Sequence, residues 1–129
     1  MIEELASPQG YPTAVDNICH WSFSPQADPK LVDNIRKQIL KNRPAVLQGD
    51  FRACDAYDLG DQLDQVHTPT LILVGEQDKM TPLRFSEELA EGISGAELKV
   101  IPRAGHMVVL EQPERVAEGI RGFLEGVPR

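Results

Sequence analysis

Cysteine, aromatic residues, positive charge and long apolar runs are all scarce in this chain of 129 residues, and each scarcity narrows what it can be. Two cysteines, Cys19 and Cys54, cannot frame a disulfide-built fold, so free thiols in a reducing compartment are expected. No unbroken apolar stretch outlasts Leu71-Ile72-Leu73-Val74, which is far too short to cross a bilayer. Glu3 and Glu4 stand where a secretory leader would carry basic residues. A cytoplasmic location is the expectation from these features. Lys plus Arg number 13 against 20 Asp plus Glu, a net charge of −7. That balance argues against a nucleic-acid partner, which asks for a basic stripe, and against docking on an anionic membrane.

Metal and cofactor signals are missing as well. His20 and His67 have no partners at ligand spacing, and Cys19 and Cys54 lie too far apart in sequence to read as a zinc site. The run Asp50, Asp55, Asp58, Asp61, Asp64 lacks the spacing of a calcium loop and reads as a solvated face. No cofactor and no metal are expected.

What is present changes character near Thr68. Before it the apolar pattern is helical. Pro12 can open a helix with Val15, Ile18, Cys19 and Ser22 on one side and Trp21 beside them. Asp28 is a natural N-cap and Pro29 a natural first residue for a second helix, whose Leu31, Val32, Ile35, Ile39 and Leu40 form one face. A third, shorter helix is expected from Asp50 to Tyr57, and Asp58 can cap a further turn through Leu63. After Thr68 strands and helices alternate. Leu71 to Val74 suits a strand buried on both faces. Thr81-Pro82 suits an N-cap and first turn, followed by an apolar face of Phe85, Leu89, Ala90 and Ile93, with Gly95 at the end. Glu97 to Pro102 is a second strand. Pro113 opens a last helix with Val116, Ala117, Ile120, Phe123 and Leu124 inward, stopped by Gly126 and Pro128. Strand, helix, strand, helix implies an α/β arrangement with parallel strands.

Each strand ends in a motif that can carry chemistry. Gly75-Glu76-Gln77-Asp78 follows the first and Ala104-Gly105-His106 the second. Ligands of open α/β sheets bind beyond the carboxyl ends of the strands, where an Asp and a His from neighbouring strands can meet. Such a carboxylate fixes the imidazole tautomer and stabilises the imidazolium. Taken singly, each residue reads better as a turn residue; their pairing at the ends of adjacent parallel strands brings the chemical reading level with that one.

The stretch from Thr68 to Asp78, with Thr81-Pro82 after it, resembles the penultimate strand and acid loop of the α/β-hydrolases. Ile101-Pro102-Arg103-Ala104-Gly105-His106, then Leu110-Glu111-Gln112-Pro113-Glu114 and Phe123-Leu124, resembles their last strand, histidine loop and closing helix. The 28 positions from Asp78 to His106 match that family's separation. The resemblance implies Asp78 as the triad acid and His106 as the general base, with Glu111 and Thr81 supporting the loop and helix ends. It implies a partial α/β-hydrolase fold: a helical cap-like segment over 1–67, then two parallel strands with flanking helices over 68–129.

The chain has no G-x-S-x-G nucleophile motif. Gly92-Ile93-Ser94-Gly95-Ala96 imitates it, but with Ala in place of the last Gly, after the acid in chain order, and at a helix end; it is expected to be a helix-terminating loop. The expected function is therefore the C-terminal part of an α/β-hydrolase acting on a small-molecule ester or related substrate. The alternatives are a non-catalytic module that binds a ligand or partner, or one half of a split hydrolase. Two parallel strands make a poor sheet with unpaired edges. A homo-oligomer, or association with an N-terminal half, is expected.

Overall fold

The computed structural model describes residues 2–127; Pro128, expected to help stop the last helix, lies outside them. A 3-10 turn at Glu4–Ala6 leads into α1 (Tyr11–Ser22), α2 (Pro29–Ile39) and α3 (Pro44–Ala56). A second 3-10 turn, Gly60–Gln65, is followed by β1 (Leu71–Gly75), α4 (Leu83–Gly92), β2 (Glu97–Ile101), the short α5 (Val108–Glu111) and α6 (Pro113–Gly126). The element order and the parallel strand pair give the α/β arrangement that the sequence implies. Among the described residues no helix is long and apolar enough to cross a membrane.

α1 is the hub of the helical segment. Tyr11, Ala14, Val15, Ile18, Cys19 and Ser22 recur at helical spacing and are all buried. Leu5 plugs the cluster from the first 3-10 turn with no exposed surface, and Val32, Ile39, Leu40, Leu47, Phe51 and Met80 pack around it. Burying Leu5 and Val15 contributes about 1.5–3 kcal/mol each. α2 starts where Asp28 and Pro29 place it, with Asp28 Oδ1 accepting from the Lys30 N–H at 2.9 Å. The Tyr11 hydroxyl closes the C-terminal end of α2, lying 3.0 Å from Ile39 O and 3.0 Å from Asn42 O in the turn that follows. α3 begins at Pro44 rather than at the expected Asp50. Proline at a first helical position starts a helix as readily as one beyond its end stops the previous one, and Pro44 does the former.

β1 and β2 are parallel, in the register Leu71↔Glu97 through Gly75↔Ile101. Leu73 and Ile101 share one face and form a second cluster with Ala104, Val108 and Val116. Three expectations are corrected here. Leu71, Ile72 and Leu73 are half-buried rather than buried on both faces, because the sheet has only these strands among the described residues. The covered side of α4 carries Ile93, Ala90, Ser86 and Leu83, while Phe85 and Leu89 stay exposed. In α6, Val116 and Gly119 are buried, but Ala117, Ile120 and Leu124 are exposed. Both helices lie on a narrow sheet, so only the stripe pointing straight at it is covered.

Candidate active site

Two glycines let the ends of the strands approach. A Cβ on Gly75 would lie 2.2 Å from Gly105 O and 2.4 Å from Ala104 O, so only glycine admits the histidine loop there. The Glu76 N–H donates to Ile101 O at 2.9 Å and the Gln77 N–H to Ala104 O at 2.8 Å, which ties the acid loop to the histidine loop through backbone. A Cβ on Gly105 would lie 2.8 Å from Ser22 O, Phe23 C and Ser24 N. The end of α1 therefore sits directly against the histidine loop.

Glu111 fastens that junction. One carboxylate oxygen accepts from the Gly105 N–H at 2.8 Å and the other from the Ser24 N–H at 2.9 Å. The Met107 N–H donates to Ser22 O at 3.0 Å, and the Ser24 hydroxyl donates to Arg103 O at 3.4 Å. Arg103 turns the chain out of β2 in the left-handed region, at φ 56°. That conformation costs a non-glycine residue on the order of 1 kcal/mol or more and persists where surrounding bonds hold it. Gln112 donates to its carbonyl, and Glu76 accepts from its N–H.

These supports bring Asp78 and His106 together. His106 Nδ1 lies 2.9 Å from Asp78 Oδ2. The Asp78 side chain is 5% exposed and that of His106 39%. Asp78 also accepts from the Thr81 N–H at 2.8 Å and from the Thr81 hydroxyl at 2.9 Å. The Thr81 hydroxyl lies 3.0 Å from His106 Nδ1. Thr81 is therefore not the helix cap the sequence led us to expect. Pro82 holds that position without a side-chain acceptor, and Thr81 turns both its polar groups to Asp78. Ser94 falls in the turn between α4 and β2, next to Gly95 at φ 76°.

Beside the acid loop, Lys79 reaches a cleft of about 610 Å³ whose other walls include Asp16, Cys19, His20, Phe23 and Val32. Burial pushes the Cys19 thiol up, and the Asp16 carboxylate adds to this while Arg36 opposes it. A buried thiol held protonated is a poor nucleophile. Among the described residues no three His, Cys, Asp or Glu side chains gather as metal ligands.

Residues 6–119 match the family model described as the alpha/beta hydrolase family. Over 71 residues, 55% of this chain and 21% of the relative, the sequence is 35% identical to the mouse monoacylglycerol lipase ABHD6. It is 34% identical over 84 residues to the pimeloyl-[acyl-carrier protein] methyl ester esterase of Neisseria meningitidis serogroup C, covering 65% of this chain and 33% of that enzyme. The solved structure of a thermophilic esterase superposes with a TM-score of 0.85 at 34% identity, over 96% of this chain and 49% of that one. The chain thus spans about half the length of that solved structure, and a fifth to a third of those curated relatives.

Proposed function

The chain belongs to the alpha/beta hydrolase family, and on that premise we propose that it supplies the acid, Asp78, and the general base, His106, of a Ser-His-Asp triad that hydrolyses esters of small molecules. The 2.9 Å contact between Asp78 Oδ2 and His106 Nδ1, at the ends of adjacent parallel strands, carries this reading. With Asp78 as a carboxylate, Nδ1 keeps its proton and Nε2 is left as the base. His106 Nε2 takes the proton of a serine hydroxyl as that oxygen attacks the ester carbonyl, then returns it to the departing alcohol. Water repeats the cycle on the acyl-enzyme. Asp78 stabilises the imidazolium throughout. The serine and the oxyanion donors come from outside this chain, whose sequence has no G-x-S-x-G. Relatives named as esterases and a lipase support ester substrates.

The chain's open faces support association as part of the same reading. Val100, Ile120 and Leu124 are 42%, 43% and 62% exposed. An N-terminal half, on the same or another polypeptide, or a second copy would cover them. If no serine is supplied, the same faces fit a module that binds a ligand or partner without catalysis.

The test is p-nitrophenyl ester turnover by the protein isolated from its own cells through a tag on this chain, so that whatever carries the serine comes with it. Turnover should fall about 10³–10⁴-fold on His106→Ala, and by a comparable factor on Asp78→Asn. Turnover that is absent, or unchanged by both substitutions, overturns the reading. The chain alone should show little or none, because oxyanion donors and an activated nucleophile supply most of the rate.

A further inference from the structure

We propose that Thr81 is a positioning residue whose hydroxyl closes a three-atom hydrogen-bond ring with Asp78 and His106 and so holds the imidazole in the Nδ1–H form. The inference rests on reading Asp78 and His106 as an acid–base pair. Thr81 Oγ1, Asp78 Oδ2 and His106 Nδ1 form a near-equilateral triangle with sides of 2.9, 2.9 and 3.0 Å. A carboxylate only accepts, a hydroxyl brings one proton, and an imidazole nitrogen brings one or none.

One assignment fits all three sides. The hydroxyl proton goes to Oδ2, and the Nδ1 proton is shared between Oδ2 and Oγ1. If the hydroxyl instead donated to Nδ1, that nitrogen would be bare. Oγ1 and Nδ1 would then each face Oδ2 at 2.9 Å with no proton between them. Leaving such acceptors unpaired against a nearly buried carboxylate is costly. The hydroxyl thus adds a second unfavourable contact to the wrong tautomer, beside the one between a bare Nδ1 and Asp78 Oδ2.

Thr81 also fixes the plane of the carboxylate. Its N–H holds Oδ1 at 2.8 Å while its hydroxyl holds Oδ2. The carboxylate is pinned at both oxygens by one residue, and the imidazole, 39% exposed and free to swing on its solvent side, is aimed by what remains of Oδ2. Threonine is suited to both tasks because its backbone and hydroxyl lie on the same side of the turn. The cost is a helix start at Pro82 without a side-chain cap.

The experiment reads the ring ¹⁵N chemical shifts of His106 in the full chain above its titration range, for the native protein and for Thr81→Ser, Thr81→Val and Asp78→Asn. The native chain and Thr81→Ser should hold His106 in the Nδ1–H form. Thr81→Val keeps the shape and the backbone N–H but loses the hydroxyl, and should lower the Nδ1–H to Nε2–H ratio about five- to tenfold, as expected for one hydrogen bond. Thr81→Ala replaces it if the valine variant does not fold. A ratio within about twofold of native in the valine or alanine variant, or a serine variant as depressed as the valine one, overturns the inference. Asp78→Asn separates the two readings. A lost preference there, with the threonine variants unchanged, removes the role of Thr81 and leaves the acid–base pair standing. A preference insensitive to Asp78→Asn removes both.

Discussion

In the cluster around α1, Leu5, Ala14 and Val15 have no exposed surface at all, whereas on the strand–helix side Leu124 is 62% exposed and Val109 61%. Both regions carry apolar residues at the spacing their secondary structure demands. The helical segment closes on itself because its cluster is surrounded: α2 and the first 3-10 turn lie against α1, α3 packs on that turn, and Met80 joins from the acid loop. The strand–helix segment has a sheet of two strands, and its helices cover only the part they lie over. Periodicity says which residues suit burial. The quantity of neighbouring chain decides whether they obtain it, and this chain spans about half of the solved esterase it superposes on.

The sharpest way to break the contrast is at the junction where the two regions meet. Gly105→Ala would drive a methyl into the backbone of Ser22, Phe23 and Ser24, and should cost about 3 kcal/mol or more in urea unfolding. A loss below about 1 kcal/mol would mean that the two regions are not held together there. Next comes burial itself. Leu5→Ala should cost about 2–5 kcal/mol, while Leu124→Ala should cost less than about 0.5 kcal/mol in dilute protein. If Leu124→Ala becomes expensive as concentration rises, with a matching rise in mass by light scattering, a second copy covers that face.

Smaller effects refine the picture within the helical region. Tyr11→Phe removes the hydroxyl that serves the end of α2, at a cost of about 1 kcal/mol. Burial raises the Tyr11 phenol above its ordinary range. The native contribution is therefore full below about pH 10 and is lost as pH rises through the raised folded value, because the unfolded phenol ionises first. Urea midpoints of the native chain should fall over that alkaline window by more than those of Tyr11→Phe. The smaller of the two is Asp28→Ala, which deletes the cap of α2 and should lower stability by about 0.5–1 kcal/mol.

Much of this was legible in the sequence. Asp28-Pro29 marks a helix start because a cap and a fixed φ act within one turn, and the strand ends announce themselves through glycine. Asp78 and His106 point to a meeting because parallel strands deliver both residues to one edge, and their separation matches that of the family the sequence resembles. Other features depend on partners distant in sequence. Thr81 next to Pro82 has the local signature of a cap, and only the proximity of Asp78 and His106 redirects its hydroxyl. Phe85, Leu89, Ile120 and Leu124 fit an inward helical face equally well, and the rotation of α4 and α6 on a narrow sheet leaves them out. The double role of Glu111 was visible only as a general support, since Ser24 lies 87 positions away.

That distance has a consequence for how the molecule comes into being. The bonds from Ser24 to Arg103 and Glu111 close loops of 79 and 87 residues, while most of the α1 cluster is made by residues within the first 51. Loop closure over long spans slows folding, and contacts near in sequence form sooner. On a ribosome the helical cluster can assemble while the last strand is still being synthesised. The histidine loop, by contrast, acquires its clamp only after Glu111 has emerged. The contact between Asp78 and His106 thus gains this support late, once Glu111 is available to clamp the histidine loop to the end of α1.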